Sequence, residues 1–151
     1  MSPARAILSG TLVVGTLDAL DAIVFFGLRS GAHPMRIFQG IASGVLGPAS
    51  FEGGVRSAAL GVFLHYVIAF GIVLVFFIAS RRITFLTRHA AVSGILYGMA
   101  AYFVMNRVVI PLSAIGAAQS VAWPVFVNGI LIHAFGVGLP AALVARAARP
   151  R

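Results

Sequence analysis

Four apolar runs, each long enough to cross a lipid bilayer, divide this chain and decide what it can fold into. A spanning helix needs about 20 apolar residues, and the hydrocarbon core tolerates backbone only in helices or closed barrels. The runs cover residues 6–28, 57–80, 90–110 and 124–145, and each reads as one helix. The expected fold is all-α: a four-transmembrane-helix bundle making a single integral membrane domain over residues 1–151. Composition excludes an ordinary soluble domain, because 60% of residues are hydrophobic and 9% charged, where soluble chains carry about a quarter charged. Residues 1–28 have the Arg5-plus-apolar look of a secretory leader, but Ile23 to Leu28 extends the run to spanning length. An uncleaved helix is expected there.

The connections are punctuated by proline, glycine and arginine. Residues 29–56 are too many for a turn and are broken by Gly31, Pro34, Gly47, Pro48, Gly53 and Gly54. Within them, Ile37, Phe38, Ile41 and Val45 recur at helical spacing behind Pro34. A short interfacial or re-entrant helix over 34–46 is predicted in this first outer connection. Glu52 and Arg56, four apart, read as a local ion pair. Pro111 should stop the third span, Pro124 should open the fourth, and Pro140 should kink it. Gly94 and Gly98 form a small-xxx-small notch for a neighbouring helix, and Trp123 is placed as an interfacial anchor.

The formal charge of +8 comes from eleven arginines. Seven of them, Arg5, Arg81, Arg82, Arg88, Arg146, Arg149 and Arg151, fall on the side of the termini, against Arg29, Arg36, Arg56 and Arg107 on the other. The positive-inside rule then puts both termini in the cytoplasm. Charge gathered at span ends is topological, which excludes nucleic acid as a partner and makes the lipid bilayer the partner instead. A homo-oligomer or a larger membrane complex stays open. The lack of lysine and the abundance of Gly and Ala point to a GC-rich bacterial source and its inner (cytoplasmic) membrane. With no cysteine, disulfides and thiolate metal sites are excluded.

Two carboxylates, Asp18 and Asp21, sit inside the first span, three apart and therefore on one helical face. An ionised group at that depth costs a few kcal/mol unless it is paired, protonated or wetted, so that face should look into the bundle. Counted from the outer end of each helix, Asp21, Asp18, His65, His133 and Asn106 fall roughly 8 to 15 Å deep at 1.5 Å per residue. They should share one layer, with Tyr102 and Arg107 close by.

Four readings fit such a layer. It is a cavity that handles a proton, an ion or a small ligand from the outer side; a metal site of Asp18, Asp21, His65 and His133; a haem b site with His65 and His133 as axial ligands; or a purely structural cluster in an accessory or scaffold subunit, with the aspartates paired to Arg107 or hydrogen-bonded to Asn106 and the histidines. Haem leaves the aspartates unexplained, and no local metal-ligand motif exists, so neither cofactor is favoured. Ser9, Ser43 and Ser113 have no base beside them in sequence, and no catalytic motif is present. A non-enzymatic binding protein is expected.

Gly15 to Ala19, Ile37 to Gly44, Ala58 to Gly61 with Leu64 and His65, Tyr102 to Asn106 with Pro111 to Ser113, and His133 with Gly138 to Pro140 together resemble a widespread group of small bacterial four-helix inner-membrane proteins. The likeness covers nearly the whole chain. More distantly, the chain is similar to YagU-like inner-membrane proteins, which share a histidine-bearing apolar helix and a proline-leucine stop. The resemblance implies a fold and a compartment and carries no active site with it.

Overall fold

The computed structural model describes residues 1–117 and 120–149. Arg151 of the expected basic tail lies outside the described residues. The elements are α1 (Pro3–Ser30), α2 (Pro34–Leu46), a 3-10 segment (Gly47–Glu52), α3 (Gly54–Arg82), a short α4 (Thr84–Arg88), α5 (Ala90–Leu112) and α6 (Trp123–Ala147). The short helix α2 keeps the expected bounds, and the four long helices run one to three residues further at each changed end. Apolarity marks only the hydrocarbon stretch, whereas helical hydrogen bonding continues into the polar zone beyond it. With 28 residues in α1 and 29 in α3, these helices reach about 42 Å, well past a core of about 30 Å. Their lipid-side surface is apolar, with Leu12, Leu20, Phe63, Val67, Ile78, Leu96 and Phe135 all exposed. The chain is a multi-pass membrane protein with an all-α bundle fold.

The bundle is built in three levels, and the residue numbers show its up-and-down course. At the end holding the termini, Ala6 of α1, Phe76 and Phe77 of α3, Ala90 of α5 and Ala142 and Ala145 of α6 form one core cluster. The middle level holds Val14, Ala69, Val73, Val137 and Ala141. Beyond it Asp18, His65, Tyr102 and His133 surround a cavity. Numbers rise along α1 and α5 while they fall along α3 and α6, so consecutive long helices are antiparallel. Guanidinium groups tie the terminal end: Arg81 donates to the Ala148 carbonyl at 3.4 Å and Arg149 to the Ser80 carbonyl at 3.3 Å.

Close helix approach depends on the predicted glycine notch. A Cβ on Gly94 would lie 2.8 Å from the Ala142 Cβ and 2.9 Å from the Leu139 Cα, and one on Gly98 would strike the His133 carbonyl oxygen. Gly138 answers from α6, where a Cβ would meet the Gly94 carbonyl oxygen and the Gly98 backbone. Three missing side chains thus let two backbones touch, which in lipid replaces the absent hydrophobic drive with dispersion contact.

Pro111 acts differently from the expectation. Pro111 has no N–H for the Arg107 carbonyl, yet α5 runs on to Leu112 because a π-helical turn over Met105–Val109 absorbs the defect. Pro140 follows a second π turn, His133–Gly138, in α6. These turns are the usual way a helix accommodates a missing ladder bond. The expected Glu52–Arg56 pair does not form among the described residues, whose one recorded ion pair is His65–Asp18. In that region the Arg36 guanidinium instead lies 4.2 Å over the Phe51 ring, a cation–π contact bringing α2 to the 3-10 segment.

Gly98→Val should lower stability by about 3 kcal/mol or more, because the clash is with backbone and no rotamer relieves it. Gly71→Ala, whose Cβ meets nothing within 4 Å, should be neutral or stabilising by up to about 1 kcal/mol. The midpoint of unfolding titrated with sodium dodecyl sulfate measures both, and equal midpoints would show that the glycine crossing does not hold α5 to α6.

Candidate intramembrane binding cavity

A cavity of about 450 Å³ occupies the half of the bundle away from the termini. Its polar lining is Asp18 and Asp21 from α1, His65 from α3, Tyr102, Asn106 and Ser113 from α5 and the residue after it, and Asn128 and His133 from α6. Apolar side chains such as Ile37, Ile68, Ile72, Val109, Ile132 and Val137 make most of the remaining wall. One side is closed by α2 together with the segment after α5, where the Ala114 N–H donates to the Gly44 carbonyl at 2.9 Å. α2 reaches that position by lying against α3 at Gly61, where a Cβ would strike the Phe38 carbonyl oxygen. Gln39 fastens it, donating from Nε2 to the Gly54 carbonyl at 3.1 Å.

Hydrogen bonds assign the protons on both imidazoles. His65 Nε2 lies 2.8 Å from the Gly15 carbonyl oxygen, which can only accept, so Nε2 carries hydrogen. Its other nitrogen, Nδ1, stands 4.0 Å from Asp18 Oδ2. At that distance no hydrogen bond forms, and the two groups attract only when the ring carries a second proton. In His133 the roles are reversed: Nδ1 lies 3.0 Å from the Gly129 carbonyl and must donate. In the neutral ring that leaves Nε2 as a free acceptor. Tyr102 packs edge-on against this imidazole, with centroids 5.4 Å apart.

Asp21 finds its partner on α6, where Asn128 Nδ2 donates to Oδ2 at 2.7 Å. Asn128 is the member that sequence reasoning left out of the cluster. Its signal was available, since it lies near the outer end of the fourth helix at a depth close to that of Asn106. Asn106 lines the cavity too, but its amide donates locally to the Tyr102 carbonyl at 2.9 Å. Arg107 is a correction. It is exposed, makes no ion pair with either aspartate and does not line the cavity. A guanidinium gains more by reaching along the helix surface toward water than by entering an apolar cavity, and its position in the first π turn lets it do so.

Neither cofactor reading fits this arrangement. Among the described residues, no three His, Asp or Glu side chains come together as a metal-ligand set, so Asp18, Asp21, His65 and His133 do not make one. For haem, the Nε2 of His65 that would ligate iron is already donating to Gly15. The other tyrosines hold helices: Tyr66 OH meets Thr16 Oγ1 at 2.9 Å, and Tyr97 OH donates to the Ile72 carbonyl at 2.7 Å.

No protein-family model, curated protein or solved structure matches the chain. The ¹⁵N shifts of the two neutral imidazoles provide a direct check on the site. His65 should read as the Nε2–H tautomer and His133 as the Nδ1–H tautomer. The same tautomer at both positions would contradict the hydrogen bonding described above.

Proposed function

We propose that this protein binds a small, mostly apolar molecule inside the membrane, in the cavity ringed by Asp18, Asp21, His65, Tyr102, Asn128 and His133. The observation that carries the reading is the coincidence of that cavity with every aspartate and histidine of the spans. Lone structural polar residues would be scattered among helix contacts, each satisfied by a neighbour. Here they converge from four helices on open space of about 450 Å³, within the about 300–1,000 Å³ common for small-molecule sites. Both π turns border the same space, since Met105, Asn106, Val109, His133 and Val137 line it. Such turns are enriched at functional sites. We read the protein as a binding rather than a catalytic component.

We further place it in a bacterial inner membrane with both termini cytoplasmic and the cavity in the outer half, on the bias of arginines toward the terminal end. A fluorescent-protein fusion at the carboxyl terminus should then be bright, and an alkaline phosphatase fusion there inactive.

The binding reading is tested by filling the cavity without touching its polar groups. Gly40 lines it, and a Cβ there meets nothing within 4 Å, so Gly40→Phe should fold and occupy the space. Calorimetry on protein in phosphatidylcholine nanodiscs, using 4-phenylbutylamine, 4-phenylbutanol and 4-phenylbutyrate as probes, should show saturable binding of at least one probe to the native chain. Folded Gly40→Phe should show none. If no probe binds the native chain above empty nanodiscs, the cluster only locks helix packing.

A further inference from the structure

We infer that the cavity's ligand is an organic cation with N–H donors on an apolar body, an amphiphilic ammonium, with Asp21 as its counter-ion. This rests on the binding reading above and adds the chemical class. Among the described residues, the titratable side chains lining the cavity are Asp18, Asp21, His65, Tyr102 and His133, and no arginine lines it. Asp18 has the His65 imidazole at ion-pair distance, 4.0 Å from Nδ1 to Oδ2. Asp21 has no imidazole at ion-pair distance: its hydrogen bond comes from Asn128, a neutral amide, and the His133 ring, near enough to act on its charge, makes no ion pair to it among the described residues. A carboxylate with two oxygens offers about four acceptor positions, and only Oδ2 is engaged.

Beside the neutral donors of the Tyr102 hydroxyl and the second N–H of Asn106 and of Asn128, the free polar positions around the space are acceptors. They are the remaining carboxylate oxygens and Nε2 of neutral His133, whose Nδ1 is committed to Gly129. A ligand that satisfies them must donate hydrogen, and one that offsets the carboxylate must be positive. An anion would meet two carboxylates and no arginine. A neutral alcohol donates once and leaves the charge uncompensated. The wall of Ile37, Ile68, Ile72, Val109 and Ile132 requires the rest of the molecule to be apolar. A primary ammonium brings three donors and the charge together.

The three probes named above share a phenylbutyl body and differ at the head. On native protein in phosphatidylcholine nanodiscs, 4-phenylbutylamine should bind about tenfold or more tightly than 4-phenylbutanol, because the buried charge pair is made only by the amine. 4-Phenylbutyrate should not bind measurably. Asp21→Asn should bring the amine down to the level of the alcohol while leaving the alcohol within about twofold. Asp18→Asn should keep the amine's advantage. If the alcohol or the carboxylate matches the amine on native protein, the cation assignment is overturned while the cavity reading stands. If none of the three binds, both are overturned. A folded Asp21→Asn that retains the full preference for the amine also overturns the assignment. Should that variant not fold, the comparison of three heads on native protein decides.

Discussion

Hydrocarbon gives no solvation to a carboxylate, and the half of this bundle away from the termini is arranged around that fact. Two aspartates on one face of α1 need polar company, and the three levels of the bundle bring it to them. At the terminal level the four helices fill their interior with Phe76, Phe77 and alanines. At the middle level Val14, Val73 and Val137 suffice. Only at the third level do the helices stop filling the space between them, and there the ionisable groups collect. A closed apolar core at that height would have left Asp18 and Asp21 without donors.

The glycines and prolines that seem to weaken the helices serve this arrangement. Gly94, Gly98 and Gly138 draw α5 and α6 into backbone contact near the middle of the bundle. At that crossing α6 changes its winding over His133–Gly138, and beyond it α5 does so over Met105–Val109. A π turn inserts an extra residue per turn and shifts which side chains face inward. Pro111 and Pro140 each follow one turn, having removed the ladder bond that would resist it. One face of the α6 turn packs on the α5 glycines while His133 and Val137 of the same turn line the cavity. The ring of Tyr102 then sits where a side chain on Gly129 would be, since a Cβ there lies 3.0 Å from its Cζ.

Much of this was legible in the chain. Span count, the short helix over 34–46, the Gly94/Gly98 notch and the shared height of Asp18, Asp21, His65, Asn106 and His133 follow from apolar runs, helical spacing and the rise per residue. What could not be read was the direction of individual side chains. Counting residues gives depth but not azimuth, and a π turn shifts azimuth partway along a helix. Arg107, one residue past Asn106, therefore looked available to the aspartates and turned outward. Asn128 looked incidental and became the donor to Asp21. Ladder repair around Pro111 and Pro140 depends on tertiary contacts, so no local rule for proline foresees it.

The two aspartates, equal in sequence, are unequal in place. Asp18 looks toward α3, where an imidazole anchored by its Nε2–H to Gly15 turns Nδ1 toward the carboxylate at 4.0 Å. The anchor matters because it leaves His65 one nitrogen to use and fixes where that nitrogen points. Asp21, one turn further along, looks toward α6 and meets an amide that can donate a hydrogen bond but no charge. The first site faces an imidazole at ion-pair distance, whereas the second is held by a neutral amide and makes no ion pair among the described residues. Two carboxylates three residues apart thus meet different partners because the helices opposite them differ, and both face the cavity rather than the lipid.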